Sequence, residues 1–497
     1  MDIERGSGIL MHISSLPGKY GIGTLGKCAY EFCDFLHKSR QKYWQILPLG
    51  QTSYGDSPYQ AFSAFAGNPY FIDFDILREE GLLAKEDYDN KNFGDNPEAV
   101  DYGLMFTEKM KVLRKAYKNF QADNNEQFKN FIESESDWID DYSMFMALKY
   151  EFNFISWNEW DEKLKCRDKE TLEKYKDKLK DEINYWKFIQ YEFFKQWKKL
   201  KKYANDKGIK IIGDIPIYLA QDSSDVWSNP EIFLMDQDTL KPLKVSGCPP
   251  DAFSEDGQLW GNPVYDWSYL EKTKFTWWIN RIKASLNLYD ILRMDHFRGF
   301  EAYWSVPYGD KTAKNGKWVK GPGMKLFNAI KDKLGEIDII AEDLGYLTQE
   351  TLDFKEETGF PGMKIIQFAF GGDSRNPHLP HNYEKNCIAY TGTHDNDTAR
   401  GWIEVTGSKE EIDKAIEYLN LTEKEGYNWG IIRGVWSSIA RTSIAAMQDF
   451  FNLGNEARIN RPSTLAGNWS WRAKDDVFTD ELAKKIYRLT KIYGRCE

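Results

Sequence analysis

Short apolar runs recur along the chain, most of them separated by stretches of helical periodicity. This alternation limits the fold more than any other feature. The runs are residues 8–13, 43–49, 209–217, 289–294, 337–341, 363–370, 387–390 and 443–447, the last being the weakest. Strands alternating with helices imply a parallel sheet, because a parallel neighbour requires a crossover connection. Eight such strands close into a barrel, so the expected class is α/β: a (β/α)8 TIM barrel with large, mainly helical insertions between barrel strands. An open doubly wound sheet is the alternative. Against it, no Gly-x-Gly-x-x-Gly turn opens a helix after the first run, and Gly18, Gly21 and Gly23 have the wrong spacing. No Walker phosphate loop is present either.

The 497 residues are expected to form one catalytic barrel, with two departures from the alternation. From 75 to 205 Lys and Glu dominate, and Trp186, Ile189, Phe193, Trp197 and Leu200 make a helical stripe that Gly208 stops. This segment is expected to be a mainly helical insertion whose charge runs are solvated faces. Residues 225–278 are dense in Pro, Gly and aromatics, and are expected to form a loop region over the active site.

The net charge of −11 argues against nucleic acid as a partner. No run approaches the ~18 apolar residues of a membrane span. The start, Met1-Asp2-Ile3-Glu4-Arg5, lacks the basic-then-apolar pattern of a signal peptide. The six cysteines include no Cys-x-x-Cys pair, which weighs against structural zinc and against a disulfide framework. A cytoplasmic protein without a membrane partner is expected. Aromatic residues make up 15% of the chain, and many sit among Gly, Pro, Asp and Asn. Most are core. The rest offer flat faces beside hydrogen-bonding groups, which suits sugar rings.

Acidic residues end four of the runs: Asp214, Asp295, Glu342 and Asp395. In a barrel these ends surround one pocket. Period-two alternation puts Ile291, Arg293 and Asp295 on one face and Leu292, Met294 and His296 on the other. Taken alone, this stretch reads better as a structural ion pair. Four carboxylates with Arg293, His12 and His394 nearby shift that balance and leave two chemistries. Divalent-metal chemistry wants a compact oxygen cage, or histidines with carboxylates, and Arg293 competes with a cation. Glycosyl transfer wants one ionised carboxylate and one protonated carboxyl. An arginine within reach favours the first. Glu342, after an apolar strand and without an adjacent basic residue, suits the second. His12 reads as a core histidine and is left out of the site.

Arg293-Met294-Asp295-His296-Phe297-Arg298-Gly299, Ala341-Glu342-Asp343-Leu344-Gly345 and Gly392-Thr393-His394-Asp395-Asn396-Asp397-Thr398 resemble three motifs of one family. They are the nucleophile, acid/base and third-carboxylate motifs of the amylomaltases, the 4-alpha-glucanotransferases or disproportionating enzymes of the alpha-amylase clan. Ser14-Ser15-Leu16-Pro17-Gly18, Tyr54-Gly55-Asp56-Ser57-Pro58-Tyr59, Gly257-Gln258-Leu259-Trp260-Gly261-Asn262-Pro263, Lys320-Gly321-Pro322-Gly323 and Gly467-Asn468-Trp469-Ser470-Trp471-Arg472 agree. The resemblance runs from residue 8 to residue 472.

It implies an enzyme that moves a segment of an α-1,4-glucan to the 4-hydroxyl of another glucan or of glucose. Donors would be maltooligosaccharides, starch or glycogen chains, and neither cofactor nor metal is needed. Asp295 would be the nucleophile, Glu342 the acid/base and Asp395 the transition-state stabiliser, with His394 beside it. Arg293 would orient Asp295. Asp214, Ser57, Tyr59, Trp260 and Asn460 would contact sugar, and Tyr54 would belong to a glucan groove away from the centre. Two positions depart from the family pattern: Ala252 stands where Tyr is frequent, and Ser463 where Gly is frequent. A hydrolase of the same clan and a catalytically silent glucan-binding protein are the alternatives.

Overall fold

Both faces of a parallel strand are covered, so its residues read as an apolar run. The computed structural model, which describes residues 3–53, 55–250, 254–345, 347–464 and 466–496, contains twelve strands among them. They are β1 (Gly6–Leu10), β2 (Tyr43–Gln45), β3 (Lys210–Ile215), β4 (Lys244–Cys248), β5 (Gln258–Pro263), β6 (Ile291–Met294), β7 (Ala302–Pro307), β8 (Lys317–Lys320), β9 (Ile339–Ala341), β10 (Gly362–Ile365), β11 (Cys387–Tyr390) and β12 (Thr442–Ala446).

Eight strands form one parallel sheet in the order β10-β11-β12-β1-β2-β3-β6-β9. The Ala341 N–H at the end of β9 donates to Pro361 O, just before β10, at 2.9 Å. That bond brings the outer strands together and closes the barrel. All eight expected barrel strands are present, most of them shorter than their apolar runs. The run 8–13 leaves the sheet after Leu10 and turns through a 3-10 helix at Ile13–Ser15. The run 363–370 turns likewise at Ile366–Phe368. At the barrel mouth the chains splay, and their polar groups find other partners: Trp44 Nε1 donates to Met11 O at 2.7 Å.

Alternate residues fill the barrel. Leu10, Tyr43, Ile212, Ile291, Ile340, Ile365, Ile388 and Ile444 pack inside it, each burial stabilising by ~1.5–3 kcal/mol. Trp44, Ile211, Leu292, Met294 and Ile339 face outward into the core shared with the helices. Arg293 therefore points into the barrel with Ile291, as period two requires.

Helices follow one another between β2 and β3, from Phe74–Glu79 to the 27-residue Lys180–Asp206. Gly208, at φ 76°, ends the last of them. Its buried face carries Trp186, Ile189, Phe193, Trp197 and Leu200. Gln190 on the same helix accepts from Gly67 N at 2.7 Å and donates to Gly67 O at 3.0 Å. A Cβ on Gly67 would lie 2.0 Å from the Phe193 ring, so only glycine permits this approach. The helix thereby pins the segment after β2 that carries Ser57 and Tyr59.

Residues 225–278 are more ordered than the sequence suggested. They hold β4, β5 and the helix Trp267–Lys272, and reach the start of the helix Thr276–Leu288. With β7 and β8, β4 and β5 form an antiparallel sheet in the order β5-β4-β7-β8. No helix of the described residues is long and apolar enough to cross a membrane.

Candidate active site

The register of the barrel assembles the carboxylates. Asp214 on β3 is paired with Arg293 on β6, and Met294 on β6 with Ala341 on β9. Asp295 and Glu342 are the next residues on their strands, so they emerge level and adjacent at the C-terminal mouth.

Arg293 is buried, and its Nη1 serves two carboxylates. It donates to Asp214 Oδ2 at 2.6 Å and Oδ1 at 2.8 Å, and to Asp295 Oδ1 at 3.1 Å. Burial opposes its charge, but Asp214, Tyr59, Asp295 and Glu342 together outweigh it and hold its pKa well above the usual value. The Asp214 side chain has no exposed surface. Burial pushes this carboxyl up and Arg293 pulls it back, while Tyr59 Oη donates to Oδ2 at 2.8 Å. Both Asp214 oxygens are engaged and buried, and they hold Arg293 and Tyr59 in place.

Glu342 is held by backbone. Leu344 N donates to Oε1 at 2.9 Å and His296 N to Oε2 at 2.7 Å. Burial pushes its pKa up to about 8, and the neighbouring Asp295 adds to the rise. Arg293 and the two amides offset part of it. Burial thus favours the protonated form of Glu342. His296 reaches it because its backbone is left-handed, at φ 47°. Its ring meets Trp260 edge to face at 4.8 Å, and burial lowers its pKa to about 4. A positive φ leaves no mark in sequence, and His296 was read only as an outward-facing residue.

The third carboxylate is the most open: the Asp395 side chain is 45% exposed, against 28% for Asp295. Asn460 Nδ2 donates to Asp395 Oδ1 at 2.6 Å, and His394 Nε2 lies 3.3 Å from the same oxygen. His394 stacks on Tyr59, with centroids 5.0 Å apart and 20° between planes. Its Nδ1 lies 3.4 Å from Tyr59 Oη. A chain of polar contacts thus runs Asp395, His394, Tyr59, Asp214, Arg293, Asp295, joining the ends of β11, β3 and β6.

The role of Arg458 was missed in the sequence. Its guanidinium donates to Asp395 O and Asp397 Oδ1, and its Nε donates to Asn460 O at 2.7 Å. It clamps the turn after β11 to the 458–461 segment. Ser57 lies half-buried, and its Oγ accepts from Tyr59 N at 3.2 Å. Trp260 is half-buried beside His296. His12 is buried, accepting from Leu47 N at 3.2 Å, and burial lowers its pKa to about 3. Tyr54 and Ala252 lie outside the described residues. Ser463 takes the left-handed conformation, φ 65°, that the expected glycine would adopt without strain.

A (β/α)8 barrel with two neighbouring carboxyl groups at its C-terminal mouth has the arrangement with which enzymes break and remake glycosidic bonds. The sequence profile described as 4-alpha-glucanotransferase, glycoside hydrolase family 77, matches residues 11–478. The chain belongs to this family. It is 77% identical to a 4-alpha-glucanotransferase of Clostridium butyricum, over 98% of this chain and all of that protein. It is 49% identical to one of Streptococcus pneumoniae, over 99% of this chain and 98% of that protein. The amylomaltase of Streptococcus agalactiae, solved in complex with acarbose, superposes with a TM-score of 0.96 at 46% identity. That match covers 99% of this chain and 100% of its own. The activity is that of the family, a glycosyl transfer acting on α-1,4-glucans.

Proposed function

We propose that the transfer proceeds with retention, through a covalent glucosyl–Asp295 intermediate. What supports it is the level placement of Asp295 and Glu342 on neighbouring strands. Adjacent strands lie ~4.8 Å apart, close to the ~5–5.5 Å carboxyl separation of retaining enzymes. Asp295 attacks the anomeric carbon while Glu342 gives its proton to the departing glycosidic oxygen. The donor's remaining segment leaves with a free 4-hydroxyl. Glu342, now a carboxylate, takes the proton from the 4-hydroxyl of the incoming glucan or glucose. That oxygen attacks the anomeric carbon and releases Asp295. Two inversions give net retention.

Asp395, braced by Asn460 and Arg458, binds sugar hydroxyls and stabilises the positive charge of the transition state. Ser57, Tyr59, His394 and Trp260 line the bound glucose units. Maltooligosaccharides and starch or glycogen chains are the donors. The helical 75–205 segment and the 225–278 segment with its second sheet are walls added to one barrel. The reaction is placed in the cytoplasm, supported by six cysteines that are all free thiols.

Maltotriose tests the assignment. Free glucose together with a ladder of longer products is expected, and Asp295→Asn abolishes both. Products never longer than the substrate would mark a hydrolase instead.

A further inference from the structure

The second sheet carries an aromatic row that the transfer site does not use. Residues directly opposite in antiparallel strands share a face, which sets Leu259, Gly247, Trp304 and Trp318 in line across it. Trp304 is anchored. Its Nε1 donates to Ala313 O at 2.8 Å, and its ring packs on a small core of Val245, Val306 and Ala313. Trp318, on the outermost strand, meets Trp304 edge to face at 5.2 Å but remains 39% exposed. The Arg298 guanidinium lies 3.7 Å from its ring centre. It covers one face of the indole, and 39% of the residue remains exposed.

This indole is tied to the transfer site in two ways. Arg298 follows Asp295 by three residues, a span of at most ~11 Å. Ala313 N also donates to Asp256 O at 3.0 Å, joining the connection after β7 to the turn before β5 and Trp260. We propose that Trp318 is a stacking platform for the part of a long glucan that extends out of the site. The proposal rests on the α-1,4-glucan reading of that site.

The chemistry selects sugar over protein. The exposed apolar side chains in line with Trp304 are Trp318 and Leu259, whereas Val319 alternates to the opposite face, and Lys320 stands on the face of the indole two residues along its strand. A specific protein interface buries ~800 Å² on each partner, far more than these side chains offer. One rigid aromatic face among polar groups matches a pyranose, which has an apolar C–H face and a hydroxyl rim.

The test compares kcat/KM for long-chain amylose with kcat/KM for maltotriose, alongside retardation of the native protein in amylose-containing gels. In Trp318→Ala the amylose-to-maltotriose ratio is expected to fall at least five-fold, with weaker retardation. Trp318→Leu keeps apolar bulk without a flat face and is expected to fall likewise. Trp318→Tyr is expected to keep most of the ratio. An unchanged ratio in Ala and Leu, or equal losses on both substrates, overturns the platform and makes Trp318 a prop for Arg298. A wild-type protein that builds no ladder from maltotriose overturns the transfer reading itself, and the platform with it.

Discussion

The backbone N–H of His296 donates to Oε2 of Glu342 at 2.7 Å, so the residue after Asp295 holds the Glu342 carboxyl. The bond depends on the left-handed backbone at His296, φ 47°. A non-glycine residue held in that region stores ~1–3 kcal/mol, which surrounding contacts must offset. The strain places attack and proton donation in one rigid turn.

His296→Gly keeps that backbone accessible and is expected to lower kcat by no more than ~10-fold. His296→Val places a β-branched side chain where φ is positive and is expected to lower kcat ~100-fold, the scale of a small misplacement of catalytic groups. Steady-state transfer from maltotriose distinguishes the two. Equal losses would mean the imidazole matters and the backbone does not.

Burial pushes Glu342 up to about 8. The protonated form acts first, so kcat/KM should hold below pH 8 and fall about tenfold per unit above it. Stability moves the same way. Unfolded, this carboxyl titrates near 4.5, so from there to about 8 the folded state keeps a proton that the unfolded state releases. Stability is therefore lost as pH rises through that window. Glu342→Gln removes the penalty. It should melt above wild type at pH 8, with the gap closing toward pH 4.5. A gap that widens toward acid would refute the burial argument.

The barrel was legible because parallel strands covered on both faces leave long apolar runs such as Ile211, Ile212 and Ile215. The clustering of Asp295, Glu342 and Asp395 was legible because strand ends of a barrel converge. The second sheet was not. Lys244-Val245-Ser246-Gly247-Cys248 and Lys317-Trp318-Val319-Lys320 lack the apolar alternation that marks a strand, and cross-strand packing decides them. The partners of Asp214 were not legible for a related reason. Which partner takes a carboxylate is settled by the β3–β6 register, seventy-nine residues apart in the chain. Arg458 stood only as a neighbour in the motif around Asn460, since a surface arginine and a clamping one look alike in sequence.

Asp214 and Asp395 should separate stability from catalysis. Asp214→Asn leaves the buried Arg293 charge paired only with the more distant Asp295 carboxylate and is expected to destabilise by ~3 kcal/mol, besides losing activity. Asp395→Asn alters a half-open side chain. It should change unfolding free energy by ~1 kcal/mol or less while lowering kcat ~100-fold or more. Urea denaturation of both variants, set beside their kcat values, checks the pattern. A stable Asp214→Asn would return that residue to a direct role in binding.

Arg458 gives the sharpest test of positioning. Its guanidinium bonds Asp395 O and Asp397 Oδ1 while Nε bonds Asn460 O at 2.7 Å, so one planar group sets both the carboxylate and the amide that braces it. Lysine has a single point charge and cannot span three acceptors. Arg458→Ala and Arg458→Lys are therefore both expected to lower kcat by ~10–100-fold, since a displaced Asp395 weakens stabilisation in the transition state more than ground-state binding. Guanidinium ion, added well below denaturing concentrations, should restore part of the Ala variant's kcat and none of the Lys variant's, whose side chain fills the site. A loss confined to KM, or one that follows thermal stability and ignores guanidinium, would show that Arg458 only holds the fold.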